Sequence, residues 1–120
     1  MENTTNQADD AAGLTEEEAA RVEYTDDAVA VTLLEPLTFK ASKLDDERTI
    51  ERLVLPKKIK GKHLQAMDKA AGEMGKTLAL LATLARIPVA AAGELDARDI
   101  DVAMKAVTPF LPKLPATGRY

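Results

Sequence analysis

Residues 62–88 read KHLQAMDKAAGEMGKTLALLATLARIP, and the fold turns on whether this stretch is a phosphate-binding loop or a pair of helices. Gly75, Lys76 and Thr77 fit the end of a GxxxxGK(S/T) loop. The first glycine position, however, holds Ala70, whose methyl group blocks the close backbone approach that lets amides cradle phosphates. Such a loop also leaves a buried strand, whereas Leu64, Met67 and Ala71 recur at spacings of three and four, which is a helical pattern. No later apolar strand ends in an aspartate suited to magnesium. The segment is therefore read as two amphipathic helices hinged at Gly72 to Gly75, where glycine permits a sharp turn.

Working outward, the spacing predicts one helix over about 61–72, with Leu64, Met67 and Ala71 inward. A second runs over about 74–87, with Leu78, Leu81, Leu84 and Ala85 on one side and Leu80 and Ile87 widening the stripe. Pro88 stops it. Asp96 then caps a third helix, about 96–111, with Asp99 as the acid at its third position and Ile100, Met104, Val107 and Leu111 at helical spacing. Pro109 kinks or ends its last turn. Upstream, Val29 to Leu34 is β-branched and apolar and is closed by Pro36. Thr49 to Leu55 alternates Glu51, Leu53 and Leu55 with Ile50, Arg52 and Val54, and stops at Pro56. These two runs predict an antiparallel hairpin, 29–55, whose first strand extends through Thr38 and Phe39 to a loose turn near Ser42 to Asp46. A hairpin alone is unstable in water and must lay an apolar face on the helices. The expected class is α+β: a hairpin packed on a small bundle of about three helices.

Charge is distributed unevenly along the 120 residues. Residues 1–28 hold nine acids against Arg21 alone, a net −8, while the rest holds fifteen cations against eleven acids, a net +4. A segment so charged and so poor in large apolar groups does not recover its ordering entropy, so 1–28 is expected to be an acidic, mostly disordered tail. Thr15 and Glu18 form a TxxE capping pattern within it, although an isolated helix that short is marginal. The folded domain is then 29–112, and 113–120 is a flexible C-terminus.

Little in the composition is suited to chemistry. There is no cysteine, which suits a reducing compartment, and the acidic, polar start is unlike a signal peptide. The longest apolar run, Leu78 to Ala85, is far short of the roughly 20 residues that span a bilayer. These features predict a protein made and used in the cytoplasm, away from membranes. His63, the one histidine, has no nucleophile arranged around it and reads as a helix-edge residue. Asp96, Asp99 and Asp101 lack the alternating ligands and central glycine of a calcium loop; capping explains the first two and solvation the third. No metal, cofactor or catalytic residue is expected. Lys57, Lys58, Lys60 and Lys62 could meet phosphates, but no aromatic is interleaved for stacking and no arginine is present for base reading, so a solvated turn is the simpler reading. With few aromatics, the core must come from Leu, Val, Ile, Met and Ala, and one layer of helices on a hairpin leaves apolar surface for a partner.

Four stretches carry a resemblance: VTLLEPLTF (31–39), TIERLVLPKKIKGKHLQAMD (49–68), GKTLALLATLARIP (75–88) and LDARDIDVAMKAVTPFL (95–111). In order and spacing they resemble the small tail assembly chaperones of Mu-like and P2-like long-tailed phages, over about residues 31–111. The chain departs from that family at 41–46, where the family often has glycine in the hairpin turn. It departs again at Arg86-Ile87-Pro88, where Gly-Leu-Pro is usual. The resemblance implies a non-enzymatic chaperone that binds the tape measure protein and keeps it soluble while tail tube protein polymerises around it. It also implies action in the host cytoplasm and absence from the mature virion. An incompletely covered helical surface agrees with this, since Met67, Met74 and Met104 can adapt to varied client side chains. Leu78, Leu81, Met67, Met74, Met104 and Val107 are the candidate partner-binding residues, with core and groove roles not separated. Weak self-association is compatible with many copies acting along one client. The alternative class is a small nucleic-acid-binding or transcription accessory factor using the Lys57–Lys62 run.

Overall fold

The computed structural model describes residues 13–40 and 42–112. Its first elements are a one-turn helix α1 (Glu16–Ala19) and the strands β1 (Val22–Tyr24), β2 (Ala28–Phe39) and β3 (Arg48–Pro56). After these come helices α2 (Gly61–Gln65), α3 (Gly72–Ala85), α4 (Val89–Ala92) and α5 (Ala97–Val107), and a single 3₁₀ turn at Thr108–Phe110. The class is α+β, with an antiparallel sheet in the order β1-β2-β3. The acidic-tail reading is corrected in part. Residues 1–12 lie outside the described residues, as do 113–120, but 13–28 is structured. The TxxE pattern forms both arms of a capping box, Glu18 N–H donating to Thr15 Oγ1 at 3.1 Å and Thr15 N–H to Glu18 Oε1 at 3.0 Å. Leu14, Val22 and Tyr24 then pack against the core, which supplies the burial that the charge density of this segment had hidden.

Strands β2 and β3 explain where the core sits. Val29, Val31, Leu33, Leu37 and Phe39 are buried on one face of β2, opposite Leu53 and Leu55 of β3. Val31 pairs with Leu53 and Val29 with Leu55. The ladder breaks between Thr32 and Leu37: Thr32 pairs with Arg52, but Leu37 pairs with Ile50. Four residues of β2 thus bulge against one of β3, and Pro36 passes through the strand at the place where no ladder donor is required. The bulge also corrects the face assignment of β3. Ile50, not Glu51, joins Leu53 and Leu55 in packing on the core, and Glu51 is exposed. As expected, the hairpin runs past Pro36 to Phe39 and turns over Ser42–Asp46, closed by Asp45 N–H to Ser42 C=O at 3.1 Å.

Helix α3 is the centre of the helical layer and touches β3, α2, α4 and α5. Four consecutive residues, Ala79 to Ala82, are buried because the helix is covered by the sheet on one side and by neighbouring helices on the other. The first expected helix, 61–72, is shorter than its spacing predicts. Helical pairing ends after Gln65, and turns occupy the interval to Ala71. Gly72 supplies the left-handed φ of +77° at the break, whereas Gly75 lies within α3 and is no hinge. Lys76 of the phosphate-loop look-alike points its ammonium at the Met67 and Ala70 carbonyls, 3.5 and 3.3 Å away, and the Met67 carbonyl also accepts from the Ala70 amide at 3.1 Å.

One contact joins the two layers in a way the sequence reading did not foresee. Asp99 is buried at 0% exposure on α5. Its carboxylate accepts from the Arg21 guanidinium at 2.7 Å, from the Leu34 amide at 3.0 Å to each oxygen, and from the Glu35 amide at 3.5 Å. The capping role assigned to it is corrected: Asp96 caps α5 by accepting from the Arg98 amide at 2.8 Å, and Asp99 binds the bulge of β2. The inward face of α5 is accordingly Asp99, Val102, Ala103, Ala106 and Val107. Ile100 and Met104 are displaced to the flank, where they are half-buried. Small alanines at 103 and 106 allow the helix to sit close enough for the carboxylate to reach the strand. Asp99→Ala should cost about 3 to 5 kcal/mol, because it strands a partly buried guanidinium and leaves strand amides without an acceptor. Asp99→Asn should fall between that variant and the parent. Urea unfolding monitored by circular dichroism measures both, and a loss below about 1 kcal/mol in Asp99→Ala would show the contact to be peripheral.

Candidate functional site

Among the described residues, the six candidate partner-binding side chains separate by burial. Leu81 and Val107 are at 0% exposure and belong to the core. Met67, Leu78 and Met104 are half-buried at the core margin, and Met74 stands 58% exposed. Met74 and Leu78 lie one turn apart on α3, so they form a continuous apolar stripe running from solvent into the core. Sequence spacing marks this whole stripe as apolar without showing where the sheet covers it.

The lysine run folds into a different arrangement from a flat solvated turn. Chain direction after β3 sends successive side chains to opposite sides. The Lys57 ammonium lies over the rings of Tyr24 and Phe110, 5.8 and 5.6 Å from their centres, within cation–π range. Lys58, Lys60 and Lys62 instead rim an open cleft of about 470 Å³, with His63 and Arg86. Its apolar lining is Val54, Pro56, Leu84 and Ala85, and Asp27 adds a carboxylate. The cleft therefore brings together residues from the end of β3, from α2 and from the end of α3. Only the lysines were legible as a group in the sequence. Arg86 and Val54 join them through the packing of α3 on β3.

Two local devices shape this cleft. The Lys60 amide donates to His63 Nδ1 at 2.9 Å, an N-terminal cap for α2 from a histidine at its third position. At the other side, α3 ends on Arg86 in the left-handed region, φ 61° and ψ 45°, while the Arg86 and Ile87 amides both close on the Ala82 carbonyl. That geometry is the usual province of glycine, since a side chain there costs about 1 kcal/mol or more.

A second opening of about 530 Å³ is lined by Glu17, Glu18, Ala20, Arg21, Leu34 and Arg98, beside the Asp99 contact. Its charges are largely mutually satisfied. Arg21 is held by Asp99. Arg98 lies on Asp96 at 2.9 Å, and its hydrogen bonds hold the Asp96 carboxyl down at about 2. Among the described residues, neither opening presents a nucleophile with an oriented base. No group of three or more His, Cys, Asp or Glu among the described residues is arranged to hold a metal, and none of their helices is long and apolar enough to cross a membrane. Comparison of the chain with family models, curated proteins and solved structures returns no match.

The environment of His63 makes a pH prediction. Burial, followed by the Lys62, Lys60 and Arg86 cations, lowers its pKa below the ordinary 6.5. As the pH falls, unfolded His63 binds its proton near 6.5 and folded His63 only lower, so the unfolded chain holds more protons in between. Its contribution to stability is thus complete above 6.5 and declines as the pH falls through the folded value. The urea midpoint should decrease from about pH 7.5 to about pH 5, and His63→Gln should flatten that part of the profile. A histidine ring proton that titrates at or above 6.5 by NMR would contradict the assignment.

Proposed function

We propose that this chain is a non-enzymatic tail assembly chaperone that holds the tape measure protein soluble while the tail tube polymerises around it, working in the host cytoplasm and leaving before the virion is complete. The observation that carries the proposal is the Met74–Leu78 stripe of α3, an apolar surface partly withheld from the core and lying within the GKTLALLATLARIP stretch and its approach. A long apolar client needs many weak, adaptable contacts, and a methionine side chain conforms to varied partners at little cost. The order of the four family-like stretches supports the same reading. The alternative, a nucleic-acid accessory factor, draws on the cationic rim formed by Lys58, Lys60, Lys62 and Arg86. Among the described residues the rim carries no Phe, Tyr or Trp as a platform for bases, and Asp27 stands among its charges, so it favours that reading less.

Co-expression with a phage tape measure protein should raise the soluble fraction of that protein and let the two co-purify. Met74→Glu should weaken the capture severalfold with little change in melting temperature, because Met74 contributes little to the core. No rescue together with no co-purification would remove the proposal, and a salt-sensitive shift of DNA at physiological ionic strength would favour the alternative.

A further inference from the structure

We infer that the cleft between the end of β3 and the end of α3 is a docking site for an acidic amphipathic segment of a partner protein, with apolar side chains seated on Val54, Pro56 and Ala85 and carboxylates met by Lys60, Lys62 and Arg86. This rests on the proposed chaperone reading only for the identity of the partner; the surface itself is a separate one. It lies at the C-terminal end of α3, whereas Met74 lies near the N-terminal end, roughly 15 Å away along the helix axis at 1.5 Å per residue.

Three observations converge on this occupant. Val54 is 53% exposed on the outer face of β3, beside half-buried Pro56 and Ala85, so the floor is apolar and open. The rim is strongly cationic, and among the described residues the Asp27 carboxylate is the only acid lining the cleft, too little to neutralise four side-chain cations. Arg86 occupies a left-handed position at the rim, where glycine would be less strained. Strain of this kind tends to persist where the side chain serves a purpose other than folding. A nucleic acid fits less well, since no Phe, Tyr or Trp among the described residues lines the cleft, Asp27 opposes phosphate, and the apolar floor would remain wet. A carboxylate-bearing peptide satisfies both floor and rim, with the carboxylates fixing orientation and the apolar side chains providing the burial.

The test uses the full chain and two short synthetic peptides of alternative pattern, one with Leu at helical spacing and one with alternating Leu, each flanked by Glu and each made again with Gln for Glu. Calorimetry and amide NMR shifts are the readouts. At least one Glu peptide should bind, moving the Val54, His63 and Arg86 signals, and its Gln form should bind roughly tenfold more weakly. Lys60→Glu/Lys62→Glu should lose a similar factor, and added salt should weaken the Glu peptide more than the Gln form. Arg86→Gly should separate the two roles of that residue: a higher melting temperature together with a weaker peptide complex. If neither Glu peptide shifts these residues, if Glu and Gln forms bind alike, or if a DNA duplex binds the cleft more tightly than either peptide, the inference is overturned. Because no tape measure protein is used, a chain that rescues that client yet ignores the peptides would refute the cleft alone.

Discussion

A single buried carboxylate ties the two layers of this domain together. Asp99 faces the core from α5, and its oxygens receive the guanidinium of Arg21 and the backbone amides of Leu34 and Glu35. A buried charge is tolerated only when it is paired and its remaining lone pairs are filled, and these donors come from two separate segments, the approach to β1 and the bulge of β2, which the carboxylate joins to α5. The bulge of β2 has lost its ladder partners, Arg21 belongs to a segment of high negative charge, and α5 is joined to the sheet side mainly by small residues. One aspartate contacts all three, alongside the β1–β2 ladder, the Arg21–Thr32 hydrogen bonds and the buried Val102 and Val107. Ion pairs of this sort add less to net stability than to uniqueness, because a misplaced helix or a slipped strand would leave the charge unpaired in an apolar interior.

Much of this arrangement was legible in the sequence. The hairpin, its turn near Ser42 to Asp46, the Pro88 stop, the Asp96 cap and the Thr15–Glu18 capping box each follow from a local rule whose physical cause lies within a few residues. What was not legible depends on distant partners. β1 is only Val22 to Tyr24, with a Thr25-Asp26-Asp27 turn behind it. The alternation of Val22, Glu23 and Tyr24 was a signal, but nine acids in one stretch argued more strongly for disorder. That argument fails because Leu14, Val22 and Tyr24 pack on the core, and Lys105 and Arg52 from distant segments meet Glu18 and Glu23. The role of Asp99 was hidden for a related reason: an acid at the third position of a helix is explained by capping alone, so nothing in the local pattern asks for a second function. The apolar stripe of α5 was placed one residue off because burial follows the carboxylate and the two alanines beside it, not the larger side chains.

Legibility was least for the surfaces. Spacing shows that Leu78, Leu81 and Met74 lie on related faces of one helix, but only packing decides that Leu81 is sealed and Met74 is not. The lysine run likewise divides, one side chain lying on two aromatic rings and three turning toward a cleft whose opposite wall is nearly thirty residues further along the chain. A domain of this size has limited interior volume, and its helices are too short to bury every apolar side chain they carry. The two surfaces proposed for docking, an adaptable stripe on α3 and a cationic cleft at its far end, would together let affinity arise from their combination while each contact stays weak and reversible.

The bulge of β2 has a further consequence, for solubility. β1 covers β2 only from Val29 to Val31, and beyond Thr32 no strand among the described residues neighbours the outer margin of that long, apolar strand. An uncovered margin of this kind is a template on which a second copy, or an apolar client, could add strands without limit. Here the template is disarmed. The amides of Leu34 and Glu35 are already taken by the Asp99 carboxylate, Pro36 has no N–H to offer, and the register shift twists the margin away from any straight incoming strand. For a protein proposed to spend its working life beside an aggregation-prone partner, the carboxylate that orders the fold thereby also keeps the sheet from growing.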